Sequence, residues 1–273
     1  MNKERLDLYL LTKGLVESRQ IAQRIILAGK VKDKNGKILD KPGHKVLIGT
    51  ELKIVSEPPF VSRGGEKLLE AFKKFPIDVN DRTCLDAGIS TGGFTDCLLQ
   101  KGAKRIYGID VGYGQTSWKI RNNPKVILFE RTNIRYLEPS TISFKGNSLP
   151  TFVVADLSFI SLKLVFKPIR DLLSNNFEGI FLIKPQFEVG KENVSKGGIV
   201  KEPKLHVRAI QSVINSANIN NLDINGLIAS PLIGPAGNHE YLIWVSNKKI
   251  MNSVIDEKFI KNLVMKTLNQ RAS

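Results

Sequence analysis

The stretch Cys84-Leu85-Asp86-Ala87-Gly88-Ile89-Ser90-Thr91-Gly92-Gly93-Phe94-Thr95 is the strongest local signal in the chain. An apolar strand runs into Asp-x-Gly, and a loop of small residues opens a helix. Glycine admits positive φ and lets backbone come close to a ligand. In an open α/β sheet such a loop lies at the carboxyl end of a strand, where ligands bind. The same alternation continues outward. Short apolar runs recur at Thr83–Asp86, Arg105–Asp110, Val126–Glu130, Phe152–Asp156, Gly179–Lys184, Asp223–Ala229 and Tyr241–Val245. Amphipathic segments lie around them, at Gly65–Phe75, Gly93–Lys101, Leu162–Leu173, Leu205–Asn218 and Ile255–Leu268. Uninterrupted apolar strands alternating with helices mean a mostly parallel sheet covered on both faces. The expected fold is a doubly wound, seven-stranded, Rossmann-like α/β domain over residues 63–273.

Residues 1–57 read as a separate α+β unit. Leu6, Tyr9 and Leu10 fall at helical spacing before Gly14, and Ser18 is an N-cap candidate for a second helix that ends at Gly29. Short strands are expected at Lys30–Lys32, Lys45–Ile48 and Glu51–Val55. Pro58-Pro59 removes two donors and disfavours helix, so residues 58–62 read as a short, stiff connector. Phe60 and Val61 are expected to dock it on the larger domain.

The whole chain of 273 residues carries 41 Lys+Arg against 26 Asp+Glu, a net +15. That excess points to a polyanionic partner, nucleic acid before membrane. Within residues 1–57, 12 basic residues face 7 acidic ones, which places part of the excess in the small unit. Two cysteines, Cys84 and Cys97, and three histidines form no spaced cluster, so neither a zinc site nor a disulfide scaffold is expected. With no hydrophobic leader or spanning run, the expected location is cytoplasmic.

The loop at Gly88 lacks the Gly-x-Gly-x-x-Gly spacing of a dinucleotide site and the lysine of a phosphate loop. Asp110 ends the next strand, about 20 residues on, where a carboxylate accepts from ribose hydroxyls. Asp-x-Gly-x-x-x-Gly with an acidic strand end is instead similar to the S-adenosylmethionine methyltransferases. That cofactor has no phosphate, but it has an ammonium, a sulfonium and a ribose. Four further charges stand where apolar segments prefer none: Lys67, Asp156, Lys184 and Glu240. In a parallel sheet Asp86, Asp110, Asp156 and Lys184 share one edge. Phe159, Phe187 and Trp118 read first as core residues, with base stacking the alternative. Ser158 and Glu188 receive no role.

The order Lys67, Asp156, Lys184, Glu240 resembles the Lys-Asp-Lys-Glu tetrad of FtsJ-type ribose methyltransferases. The strings SRGGEKL, LDAGISTGGFTD, DVGYGQ, ERTN, ADLSFISL, KPQFEVG and GNHEYLIW resemble the TlyA branch, also known under the name hemolysin. The small unit, through Arg5-Leu6-Asp7, Gly14, Ser18-Arg19, Ala22 and Gly29-Lys30-Val31, is similar to the S4 RNA-binding domain. The resemblance implies 2′-O-methylation of cytidine ribose in ribosomal RNA, within ribosomal subunits, by a monomer that needs no metal. It implies catalytic roles for the tetrad, with Lys184 nearest the 2′-hydroxyl as base or as alkoxide-stabilising cation. It implies cofactor contacts from Asp86, Gly88, Ser90, Thr91, Gly92, Gly93, Phe94, Asp110, Asn133 and Asp156. RNA contacts are implied for Arg5, Ser18, Arg19, Arg24, Lys30 and Arg63. The alternatives are a membrane-lytic protein, a non-catalytic ribosome-assembly factor and a small-molecule methyltransferase.

Overall fold

Seven apolar segments pair into one sheet because each is too apolar on both sides to face water. In the computed structural model, which describes residues 3–55, 58–142 and 149–269, they are β5 (Thr83–Ala87), β6 (Arg105–Ile109), β7 (Val126–Phe129), β8 (Phe152–Ala155), β9 (Glu178–Ile183), β10 (Asp223–Ala229) and β11 (Tyr241–Ser246). Their order is β10-β11-β9-β8-β5-β6-β7. Strands β5 to β9 pair in parallel. Strand β11 is antiparallel to both β9 and β10. The chain runs from β5 outward through β6 to β7, then crosses back to β8 on the other side of β5. That reversal is the switch point at which open sheets form a ligand crevice.

Alternate side chains fill opposite faces. Leu85 and Ala87 join Tyr107, Val153, Phe181 and Ile243 on one side, under α7 (Phe166–Asp171), α9 (Pro203–Ile219) and α10 (Glu257–Asn269). Cys84, Ile106, Phe152, Ile180 and Trp244 face the other side, with α3 (Gly64–Lys74) and α4 (Gly93–Gln100). Both faces are buried, as a doubly wound sheet requires. Cys84 and Cys97 are free, and burial pushes each thiol up to about 12. They are inert packing residues.

The chain divides into two units, Met1–Pro58 and Pro59–Ser273. Glu57, at the expected boundary, lies outside the described residues. In the smaller unit α1 (Leu6–Thr12) and α2 (Arg19–Leu27) bury Leu6, Tyr9, Leu10, Ala22 and Ile26 against Val31, Leu39 and Val46. Ser18 caps α2, its hydroxyl oxygen accepting from the Ile21 amide at 3.3 Å. Two strand pairs complete the unit: β1 (Lys3–Arg5) with β3 (Lys45–Leu47), and β2 (Val31–Asp33) with β4 (Leu52–Ile54). Asp7 is fully buried and accepts from Arg5 Nε, Arg19 Nε and Gln23 Nε2, each within 3.1 Å. The Arg5 guanidinium holds the Asp7 carboxyl well below the usual carboxylate range.

In the larger unit Phe60 is 5% exposed among Leu68, Ala71 and Phe94, and the Val61 amide donates to Asp96 Oδ2 at 2.9 Å. The prolines are thus followed at once by an anchored segment. Gly65 makes this possible: a Cβ there would stand 2.2 Å from Phe60 Cγ. A ring held on all sides cannot step aside cheaply. Gly65→Ala is expected to destabilise the protein by about 1–3 kcal/mol, read as an earlier urea midpoint at unchanged slope. A wild-type midpoint would show that Phe60 yields without cost.

Candidate active site

The carboxyl ends of the parallel strands gather the charges. Asp110 follows β6, Asp156 follows β8 and Lys184 follows β9. Glu240 comes from the other direction: Tyr241 pairs with Ile183 across the antiparallel β11–β9 ladder, so the residues flanking that pair, Glu240 and Lys184, are neighbours. Lys67 reaches the same place from the first turns of α3. There the four side chains form a chain of alternating sign. Glu240 Oε2 lies 2.6 Å from Lys67 Nζ, Lys67 Nζ 4.0 Å from Asp156 Oδ2, and Asp156 Oδ1 2.6 Å from Lys184 Nζ. Lys184 Nζ then donates to Ser158 Oγ at 2.9 Å. Glu240, Lys67 and Lys184 are 2%, 8% and 9% exposed. Charges this deep are tolerated only when paired.

Beside the tetrad, the loop after β5 makes a cradle. Gly88 has φ +84°, and a Cβ there would stand 2.7 Å from the Asp156 carbonyl oxygen. Ser90 has φ +47°, a left-handed conformation uncommon for a residue with a Cβ. Its amide donates to Asp110 Oδ2 at 2.8 Å, while the Gly112 amide donates to Asp110 Oδ1 at 2.8 Å. Each carboxylate oxygen keeps acceptor capacity for a further donor. Gly88, Ser90, Asp110, Asn133 and Asp156 line a cavity of about 770 Å³, within the range of small-molecule sites. A second lobe of about 200 Å³ shares Gly88, Ser90 and Asp156 and adds Arg63, Lys67, Thr91, Gly93 and Phe94. It is closed on one side by Leu232, Ile233 and Pro235, which nothing in the sequence pattern had marked.

Two of the residues expected at the cofactor lie behind the loop. Asp86 is fully buried, and its Oδ2 accepts from Thr95 Oγ1 at 2.6 Å. It braces the start of α4 and does not line the cavity. Gly92 is also buried, with φ +96°, and a Cβ there would stand 2.9 Å from Ile120 Cγ1. Its role is close packing. Gly93 has a related constraint, since a Cβ would stand 2.3 Å from Ser62 Oγ.

Ser158 and Glu188, which the sequence gives no role, are tied to the site. Ser158 bonds Lys184. Glu188 is buried and accepts from Ser161 Oγ at 2.5 Å and from the Leu162 amide at 2.8 Å. It pins the loop that carries Asp156 and Ser158, and burial raises its carboxyl despite those two bonds. The core expectation fails for two aromatics. Phe159 is 91% exposed, with φ +63°, and Trp118 is 80% exposed. Phe187 is half-buried, 5.3 Å from the Phe159 ring centre.

In the smaller unit Arg5 and Arg19 converge on Asp7 with about half of each side chain exposed. Arg24 is exposed in the last turn of α2, and Lys30 is half-buried. The Ser18 hydroxyl has a structural task as a cap, which accounts for its place without RNA. Among the described residues no helix is long and apolar enough to cross a membrane.

Residues 60–247 match the family of FtsJ-like methyltransferases, and residues 4–52 match the S4 domain. The chain belongs to the FtsJ-like methyltransferase family. It is 45% identical over 245 residues to the 16S/23S rRNA (cytidine-2′-O)-methyltransferase TlyA of Mycobacterium tuberculosis, covering 89% of this chain and 90% of that protein. It is 40% identical to Hemolysin A of Brachyspira hyodysenteriae, over 87% of this chain and 98% of that protein. A solved structure from Streptococcus thermophilus, bearing the name hemolysin, superposes with a TM-score of 0.72 at 39% identity, over 98% of this chain and 96% of that one. The TlyA branch, an S4 domain ahead of an FtsJ-like domain, is therefore the right frame for the tetrad.

Burial pushes the Asp86 carboxyl up to about 7, with Asp156 and Asp110 adding to the rise and the Thr95 hydrogen bond opposing it. The folded protein keeps a proton on Asp86 that the unfolded chain releases near pH ~4. Stability contributed by that proton is complete below pH ~4 and declines as pH rises toward 7. Asp86→Asn is expected to flatten this decline, measured as urea midpoints between pH 4 and 7. An unchanged slope would remove Asp86 as its source.

Proposed function

We propose that the chain transfers the methyl group of S-adenosylmethionine to the 2′-hydroxyl of a cytidine ribose in ribosomal RNA, docking through its S4 domain. The observation that carries this reading is the alternating chain Glu240–Lys67–Asp156–Lys184 at the edge of the cradle. The names of the TlyA relatives point the same way. Bound S-adenosylmethionine supplies a methyl group on a sulfonium, which needs no activation. The protein's task is to orient an unreactive hydroxyl and to stabilise the charge it develops.

The residues present suit that cofactor. Gly88 leaves room for close approach, Asp110 accepts from ribose hydroxyls, and the carboxylates of Asp110 and Asp156 complement a cationic ligand. Ser90, Thr91, Gly93, Phe94 and Asn133 form the remaining walls. Lys184 already holds a hydroxyl oxygen, that of Ser158, while paired with Asp156. This favours the second of its two roles, a cation that steadies negative charge on the attacking oxygen while the hydroxyl proton passes to water, the oxygen–methyl bond forms and the sulfur–methyl bond breaks to leave a neutral thioether. Asp156 fixes Lys184, and Glu240 fixes Lys67 so that two ammonium groups stay apart on either side of Asp156. Arg63, exposed at the rim of the lobe that holds Lys67, is suited to a phosphate of the incoming RNA.

The test is methyl transfer from labelled S-adenosylmethionine to isolated small and large ribosomal subunits, with mass mapping of the product. Label on a cytidine ribose is expected. No label on either subunit, with cofactor bound, would overturn the reading. Lys184→Ala is expected to lower kcat by about 10²–10³-fold with cofactor Kd unchanged. Asp110→Ala is expected to weaken cofactor binding instead. Near wild-type turnover by Lys184→Ala would remove Lys184 from the chemistry.

A further inference from the structure

An exposed tryptophan on an anchored helix calls for an explanation. The short helix α5 (Trp118–Arg121) is held from below. Ile120 is fully buried against Gly92, and Lys119 Nζ bonds both oxygens of the nearly buried Asp96, at 3.0 and 3.2 Å. With Ile120 fixed inward and Lys119 tied to Asp96 along the surface, Trp118 turns outward and is 80% exposed. The preceding loop behaves alike. Thr116 Oγ1 donates to the Ser90 carbonyl oxygen and the Ser117 amide to that of Thr91, which ties the loop to the cradle. Tyr113 nevertheless projects from it, 66% exposed.

Two arginines attend these rings. The Arg131 guanidinium lies 4.3 Å from the centre of the Tyr113 ring. Arg121 Nη2 and the Gly114 amide both donate to Glu130 Oε1, so Arg121 is brought beside the Tyr113 segment. Arg131 itself has φ +51°, a left-handed conformation that its amide bond to the Gly112 carbonyl oxygen helps to hold. Apolar rings left in water on braced backbone, with guanidinium groups alongside, match what unpaired nucleic acid needs: flat faces for bases and cations for the backbone.

We propose that Tyr113 and Trp118, with Arg121 and Arg131, form a stacking platform for unpaired bases of the substrate RNA, on the outer side of the loop whose inner side lines the cofactor cavity. This rests on the RNA-methyltransferase reading above. It adds a contact that neither the tetrad nor the S4 domain supplies. Stacking is tolerant of sequence, so the platform would set affinity rather than select the cytidine.

Fluorescence tests it directly. The chain has two tryptophans. Trp244 is 1% exposed in the core, so a change caused by stacking belongs to Trp118. Titration of the full chain with oligocytidylate, free of protein, is expected to quench the emission, and Trp118→Phe is expected to abolish the quench while largely keeping affinity. Trp118→Ala is expected to raise the KM for isolated ribosomal subunits by about 5- to 150-fold, the range of one stacked base, with cofactor Kd and kcat unchanged. Absence of quenching would overturn the platform. So would an unchanged KM in Trp118→Ala, or a KM effect on subunits without any quench by RNA, which would mark a ribosomal-protein contact. The quench needs no turnover. It therefore reads the platform even where methyl transfer by the wild-type chain fails, and a failed transfer with a clear quench would overturn the catalytic reading alone.

Discussion

A buried charge must be paired, and the pairing of Lys67 and Lys184 with Glu240 and Asp156 organises the larger unit. Four charges with little exposure are stable together only if their signs alternate. That requirement fixes the geometry of four separate elements. Strand β11 must run antiparallel beside β9 for Glu240 to arrive at the edge where Lys184 leaves the sheet. Helix α3 must lie close enough on the opposite face for Lys67 to reach between Glu240 and Asp156. Gly93 permits that approach, since a Cβ there would stand 2.9 Å from the Gly65 amide nitrogen and 3.2 Å from Gly64 Cα at the start of α3. The packing of the fold and the placement of its charges are one constraint.

The cradle depends on a second use of carboxylates. Asp110 and Asp86 flank the same loop, yet they act on different sides of it. Asp110 holds the Ser90 and Gly112 amides and remains half-buried at the cavity. Asp86 is sealed behind the loop with Thr95. A sequence pattern gives both the same weight, because each is an acid at the end of an apolar strand. Only register separates them: Asp86 pairs opposite Gly108 and Val154 within the sheet, whereas Asp110 lies beyond the last residue of β6.

The same distinction explains what was legible beforehand. Strands with two buried faces are written as plain apolar runs, so all seven were visible, as were the helices behind Ser18 and Gly92. The three-residue β1, Lys-Glu-Arg, was not. Its pairing with Lys45–Leu47 comes from backbone bonds, and nothing in its side chains signals a strand. The tetrad was legible because a charge ending an apolar run is conspicuous. Ser158 and Glu188 were not, because a serine in a loop and a glutamate in a short helix carry no such contrast. Phe159 and Trp118 were misread as core for the converse reason. An aromatic in an apolar string normally packs inward, but here the neighbours Ile120 and Leu162 take the interior and leave the rings outside.

The smaller unit applies the pinning device under a different exposure, and the difference has consequences. Asp7 binds Arg5 through Nε and Nη2 and Arg19 through Nε, with Gln23 completing its shell. This pairing leaves the two terminal amino groups of Arg19 and the Nη1 group of Arg5 to offer, and both side chains remain about half exposed. Ordering a long side chain on binding costs about 0.5–1.5 kcal/mol. Two arginines ordered in advance by one carboxylate avoid much of that cost when an anion arrives. The Asp7 charge offsets part of their own, so the arrangement favours a ligand that supplies directed acceptors over one that offers charge alone. Phosphodiester oxygens meet that condition, with the planar donor geometry of guanidinium to receive them. In the larger unit the lysines are pinned in near-complete burial, where the surrounding protein screens them little and a single hydroxyl is the fitting guest. On the proposed reading, the depth at which a carboxylate holds its cations thus separates a surface that grips a polyanion from a site that acts on one atom of it.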